Sequence, residues 1–143
     1  MGQINLGRVL LGGLVAGVVI NVGEFLLNGV ILADAMEAMY ETMGIEEPGG
    51  GAMVVWVILG FVMGIALVWL YAAIRPRFGP GPRTAAVAGA CAWVFAYLVP
   101  MVGFTAMGVW ALDASLIIAL VWGLVEFVLA GMAGGWPYRE GAA

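Results

Sequence analysis

Four long apolar stretches alternate with short polar segments along the chain. The stretches cover about residues 6–32, 52–74, 84–110 and 114–135. Each has roughly 20 or more residues, which is the length that an α-helix needs to cross the hydrocarbon core of a bilayer. Because the connections are short, the pattern predicts a single domain over residues 1–143, an all-α bundle of four transmembrane helices.

A polar segment with helical periodicity follows the first apolar stretch. Asp34, Glu37 and Glu41 recur at helical spacing, while the methionines of the segment fall mostly on other faces. The pattern predicts that the first helix continues beyond the membrane as an amphipathic acidic segment. Gly44 is predicted to end it, and residues 45–51 form a turn-rich loop.

Prolines and capping residues mark other helix ends. The Arg75-Pro76-Arg77 sequence predicts that the second span leaves the bilayer after residue 74. Within the third span, Pro100 has no N–H to donate to the carbonyl of Ala96, so we expect a kink there. Asp113 or Ser115 is expected to cap the fourth span.

The composition agrees with a membrane location and excludes several kinds of chemistry. The chain is 64% hydrophobic and 10% charged, with a mean hydropathy of +1.10, whereas soluble domains carry about 25% charge. It has no histidine or lysine and a single cysteine, Cys91. Histidine relays, Schiff-base lysines, intrachain disulfides and multi-cysteine metal sites are therefore excluded. We predict no enzymatic activity, cofactor or metal, and the net charge of −4 argues against a nucleic-acid partner.

The arginines all fall on one side of the four-span arrangement. They are Arg8, Arg75, Arg77, Arg83 and Arg139. By the positive-inside rule, that side is predicted to be cytoplasmic, with both termini. Trp56, Trp69, Trp110 and Trp136 fall near the predicted span ends, as an aromatic belt would place them.

Small residues form a stripe on each span, where helices in lipid can pack closely. The glycines of these stripes are Gly13, Gly17, Gly60, Gly64, Gly89 and Gly123. We expect them to build the four-helix bundle itself. The alternative is that one or two stripes form dimer faces, in keeping with a homo-oligomer or a larger membrane complex.

A few polar residues lie inside the spans, on the same faces as the small residues. Asn21, Glu24 and Asn28 lie within about 60° of one another on the first helix, and Glu126 shares a face with Trp122 on the fourth. A rise of about 1.5 Å per residue places Glu24 roughly 12 Å below the outer end of its span and Glu126 roughly 15 Å from the inner end. A carboxylate at such depth costs several kcal/mol unless it is paired or neutralised.

We therefore expect both glutamates to be protonated. They would donate hydrogen bonds to Asn21, Asn28, Tyr97 or the freed carbonyl of Ala96. No arginine is placed to pair with them, because Arg8 should extend toward the membrane surface. These residues form the candidate site for proton binding.

Three functions fit these observations. The first is a non-enzymatic scaffold or accessory subunit of a membrane complex, in which the buried polar residues hold the helices together. The second is a small proton- or cation-coupled transporter that uses Glu24 and Glu126. The third is a pocket for a lipid-like or pigment ligand, lined by Trp93, Trp122 and the methionines. Of these the scaffold is the leading hypothesis, because the sequence has no catalytic constellation and little soluble mass.

Two family resemblances accompany this interpretation. The opening Ile4-Asn5, the glycine-rich first span with its amphipathic extension, and four spans in this length resemble small four-span bacterial membrane proteins grouped only as domains of unknown function. That resemblance implies a bacterial inner membrane. The span count and Glu24 are also similar to small multidrug-resistance transporters, which implies a substrate-binding role for Glu24. The chain departs from those transporters in its acidic extension and in Glu126.

Overall fold

The computed structural model describes residues 3–141, which form helices and contain no strand. Four helices are long and apolar enough to cross a membrane: Leu6–Ile31, Gly50–Phe78, Pro82–Ala106 and Ala114–Gly135. We refer to them as the first to fourth spans. A fifth helix, Ala33–Met43, follows the first span and is the extension helix. The prediction of a four-helix transmembrane bundle with an acidic extension is confirmed.

The observed boundaries differ from the predicted ones mainly around the prolines. The second span does not end at residue 74 but continues through Pro76 to Phe78. Pro76 lies in the last turns of this helix, so its missing N–H leaves only the carbonyl of Ala72 without a helical partner. The third span begins at Pro82, in the first turn where proline is tolerated, and it ends at Ala106, four residues earlier than predicted.

Capping residues lie at three helix ends, and those at Gly44 and Asp113 were predicted from the sequence. The side chain of Asn5 accepts a hydrogen bond from the Arg8 N–H at the start of the first span. Asp113 does the same for Ser115 at the start of the fourth span, as expected. Gly44 ends the extension helix in the left-handed conformation, with φ 65°. That conformation favours glycine because a Cβ would be strained there.

The extension helix is not a straight continuation of the first span. The last five residues of the span, Leu27–Ile31, are π-helical, and Leu32 then has φ −112° and ψ 23°, outside the α-helical region. The new helix begins at Ala33. Leu27 and Leu32 are both buried against Trp110, in the connection between the third and fourth spans. Burial of these side chains accompanies the change of direction at Leu32.

Glycines allow the spans to approach one another closely. A Cβ on Gly64 of the second span would overlap backbone atoms of Gly13 and Gly17 in the first. Between the third and fourth spans, Gly89 lies against the backbone of Phe127. Gly123 lies against the ring of Tyr97, with 2.8 Å between its notional Cβ and the nearest ring carbon. The glycine stripes therefore form contacts within the bundle, as small residues do in membrane helices.

The two ends of the bundle are held by different groups. At the end that carries the arginines, the ring of Tyr138 packs edge-on against the ring of Tyr71, with 5.8 Å between the ring centroids. The Cζ of Arg75 lies 5.4 Å from the centroid of the Tyr138 ring. At the opposite end, Trp110 is 5% exposed and donates a 3.1 Å hydrogen bond to Ser115. Trp110 is therefore a core residue, and its assignment to the aromatic belt was wrong.

Candidate intramembrane carboxyl site

The carboxyl group of Glu24 is held between the first and third spans. The hydroxyl of Tyr97 donates a 2.6 Å hydrogen bond to Glu24 Oε1. The amide of Asn28, one turn further along the first span, donates a 2.6 Å hydrogen bond to Oε2. Both carboxyl oxygens therefore have a partner. Glu24 lies seven residues before the end of its span, roughly 10 Å along the helix axis, within the hydrocarbon region of a bilayer.

Two π-helical segments flank this cluster. Asn28 lies in the segment Leu27–Ile31 and Tyr97 in the segment Val94–Leu98. A π-helical turn accommodates an extra residue, so it rotates the following side chains relative to an α-helix, and such turns are frequent at functional sites. Both hydrogen-bond donors to Glu24 therefore come from segments with π-helical geometry.

The second π-helical segment ends just before Pro100, where a kink was predicted. Proline has no N–H, so the backbone ahead of it can adopt the wider turn, and the N–H of Val99 donates to the carbonyl of Val94. Glu24 is paired with Tyr97 and Asn28, and among the described residues the Ala96 carbonyl receives no side-chain hydrogen bond. Tyr97 therefore lies in the π-helical turn that directly precedes Val99 and Pro100.

Glu126 lies on the fourth span against the first. Its side chain is 5% exposed, and Trp122 donates a 3.0 Å hydrogen bond to its Oε2. A Cβ on Gly23 would overlap this carboxyl group, so the group sits directly on the first-span backbone beside Glu24. Its other oxygen, Oε1, is buried and has no hydrogen-bond partner among the described residues. A buried polar atom in this condition costs stability and needs a physical explanation.

Asn21 does not join this cluster, although it shares a helix face with Glu24 and Asn28. Its amide donates to the carbonyls of Gly17, at 2.9 Å, and Val57, at 3.2 Å. It also packs on Gly60 of the second span. Asn21 therefore ties the first span to the second, while Glu24 faces the third.

Sequence reasoning did not identify Gly23 as part of the site, and it placed Trp122 on the face of Glu126 without assigning it a hydrogen bond. Gly23 provides the space for the carboxyl group of Glu126, and Trp122 is its hydrogen-bond donor. The signal for Trp122 was its position four residues before Glu126, which places the two side chains on adjacent turns of one face. The role of Gly23 depends on how the first and fourth spans dock, and a single-helix pattern cannot reveal that.

The chemistry of the site is set by two carboxyl groups without a nearby cation. Within residues 3–141 the salt bridge observed joins Arg75 to Glu140, 3.8 Å apart, at the arginine end of the bundle. The same residues contain no group of three or more metal-ligating side chains. The site can therefore hold or release protons, or accept a cation that brings its own hydrogen-bond donor.

No protein-family model, curated protein or solved structure matches the chain.

Proposed function

We propose that this multi-pass membrane protein is a small proton- or cation-coupled carrier that uses Glu24 and Glu126. One observation carries the proposal: Glu126 Oε1 is buried in the bundle without a hydrogen-bond partner among the described residues, in a carboxyl group that lies on the first-span backbone at Gly23, the residue before Glu24. The large majority of buried side-chain polar atoms in folded proteins have a hydrogen-bond partner, as both oxygens of Glu24 do. The unpaired oxygen leaves one position free for a proton or a cationic group.

The two acids have different parts in this proposal. Glu24, with partners on both oxygens, is a fixed proton-binding group, and its hydrogen bond with Tyr97 joins the first span to the third. Glu126 has one oxygen fixed by Trp122 and exchanges its proton at the other. We place the arginine end on the cytoplasmic side of an inner membrane, following the positive-inside rule. No catalytic role is proposed for either acid.

Proton release on binding of an organic cation tests the proposal. The purified protein is placed in weakly buffered detergent at neutral pH with a pH-indicator dye, and decylamine hydrochloride is added. Since an alkylamine is already charged near neutral pH, as lysine is, any proton released comes from the protein. We expect release from the wild type, its loss in Glu126→Gln, and its retention in Glu24→Gln, because the proton of Glu24 stays bound. Both variants should still fold, because glutamine mimics the shape of a protonated glutamate.

Glu37→Gln is the matched control. Glu37 lies on the extension helix, outside the four spans, and is exposed. This variant makes the same chemical change without touching the bundle, so it should release protons like the wild type. No release from the wild type, or equal release from the Glu24→Gln/Glu126→Gln double variant, would refute the carrier proposal.

A scaffold or accessory-subunit role is the second candidate, and the extension helix favours it. Asp34, Glu37 and Glu41 are all exposed, and the helix has no fully buried residue. An acidic face of this kind can meet a basic partner protein. Gentle-detergent purification with intact-mass measurement tests this role. A stoichiometric partner that is lost from the Asp34→Asn/Glu37→Gln/Glu41→Gln variant supports it, whereas the bare chain or its homo-oligomer alone contradicts it.

A further inference from the structure

A groove runs between the first and fourth spans on the outside of the bundle. Its volume is about 410 Å³, which lies in the range of small-molecule sites. The walls are apolar and their side chains are about half exposed: Val18 and Val22 from the first span, Val125 and Leu129 from the fourth. These residues lie within the membrane-spanning helices, so the groove faces lipid.

Glu126 and Trp122 also line this groove. Glu126 is the single ionisable residue of the lining, its side chain is 95% buried, and its Oε1 has no partner among the described residues. Trp122 holds the other carboxyl oxygen with its indole N–H. The groove therefore combines a long apolar surface with an indole ring, and the unpaired carboxyl oxygen of Glu126 is buried in its wall. Indole is the aromatic group that attracts cations most strongly.

We propose that this groove binds an apolar amine, a molecule with one ammonium group on a hydrocarbon body, which enters sideways from the lipid. The hydrocarbon body lies along the valines, and the ammonium group donates a hydrogen bond to Glu126 Oε1 beside the ring of Trp122. The inference rests on the carboxyl chemistry of the proposed function and adds the ligand class and its location.

The binding step conserves charge and protons. A charged amine, R–NH3+, meets protonated Glu126, the carboxyl O–H bond breaks, and its proton passes to water. The product is an ion pair between R–NH3+ and the carboxylate, so one proton leaves for each amine bound. A neutral alcohol cannot displace the proton, and an alkyl carboxylate would place its own negative charge beside the carboxyl group with no cation to neutralise it.

Binding of three probes with the same chain length tests the ligand class. Decylamine, decanol and decanoate are titrated into the purified protein, and the bound fraction is measured by equilibrium dialysis. We expect saturable binding of decylamine that weakens at least about tenfold in Glu126→Gln, since a charge-assisted hydrogen bond is lost. Equal binding of all three probes would overturn the proposal, because it is the behaviour of a groove occupied by acyl chains alone.

A bulky substitution tests the location. Val125→Trp fills the groove, whereas Val121→Trp makes the same change one turn away, at a lipid-exposed position outside the lining. We expect Val125→Trp to abolish decylamine binding and Val121→Trp to leave it unchanged. Val22→Trp closes the groove from the opposite wall and serves if Val125→Trp does not fold.

The outcomes separate this inference from the carrier proposal. If Val125→Trp and Val22→Trp both fold and still release protons on adding decylamine, amine binding in the groove is refuted, whereas proton release from the carboxyl site is still supported. If the wild type releases no proton, the carrier proposal itself is refuted. Loss of decylamine-linked release in both groove variants, with release retained in Val121→Trp, supports both.

Discussion

The contact between the first two spans gives the sharpest prediction about the fold. Gly64 is buried, and a Cβ there would lie 2.8 Å from the Cα of Gly17 and closer still to backbone atoms of Gly13 and Gly17. Backbone atoms of a helix cannot rotate away as a side chain can, so Gly64→Ala must push the two spans apart. Overpacking of this kind costs about 1–3 kcal/mol.

Gly103→Ala isolates that cost. A Cβ at Gly103 meets no atom within 4 Å, so the control makes the same chemical change in open space. Any gain from replacing a helical glycine, about 0.5–1 kcal/mol, occurs in both variants and cancels in the comparison. We therefore expect Gly64→Ala to be less stable than Gly103→Ala by about 1–3 kcal/mol.

Reversible unfolding in mixed micelles measures the difference. The fraction of sodium dodecyl sulfate is raised stepwise, and unfolding is followed by tryptophan fluorescence and far-ultraviolet circular dichroism. Equal free energies of unfolding for the two variants would mean that the first and second spans do not approach one another at Gly64. That result would refute the close contact of Gly64 with Gly13 and Gly17.

Two further predictions concern hydrogen bonds. Tyr97→Phe removes the hydrogen bond to Glu24 and should lower the free energy of unfolding by about 0.6–1.7 kcal/mol in the same assay. The control Tyr40→Phe lies outside the spans and should leave the free energy of unfolding unchanged. Equal effects of the two variants would contradict the Tyr97–Glu24 contact. At the start of the fourth span, hydrogen bonds from the Ser115 hydroxyl and N–H hold the pKa of Asp113 below its ordinary value of 3.8. A lowered pKa stabilises the cap above the ordinary value, and this stabilisation is lost as the pH falls through the folded-state pKa. The protection factor of the Ser115 amide, which compares its exchange rate with the intrinsic rate at the same pH, should therefore fall below about pH 4 in the wild type but show no such step in Asp113→Asn, and an identical step in both would contradict the role of the carboxylate.

The two intramembrane glutamates illustrate why a position in the sequence does not define a role. Both lie deep in apolar spans, on the same face as small residues, so the sequence pattern predicts the same environment for both. In the fold, Glu24 receives two hydrogen bonds and Glu126 receives one. The difference arises because Tyr97 approaches from the third span, whereas Glu126 sits on the bare backbone of Gly23.

Asn21 shows that residues on one helix face can contact different neighbouring helices. Helical spacing correctly groups it with Glu24 and Asn28 on one broad face, but that face contacts two neighbours. Asn21 points to the carbonyl of Val57 on the second span, and Asn28 points back to Glu24. The angular positions of side chains on one helix do not specify which neighbour each of them meets.

By itself the sequence determines the membrane-spanning architecture, because the length of each apolar stretch and the positions of the polar residues between them are local properties. Four apolar stretches, the acidic extension, the stop at Gly44 and the cap at Asp113 can all be inferred from nearby residues. Long helices satisfy their own backbone hydrogen bonds, so no distant partner is needed to form them in lipid.

Only the tertiary structure decides the turn at Leu32, the π-helical segments and the single unpaired oxygen of Glu126. Each depends on atoms that are far apart in the chain: Trp110 against Leu32, Tyr97 beside Glu24, Glu126 on Gly23. Helices in lipid have little hydrophobic contrast to orient them, so their relative rotation follows from close packing and hydrogen bonds between spans. That docking gives Glu24 a partner for each carboxyl oxygen and leaves Glu126 with one buried oxygen that has no partner among the described residues.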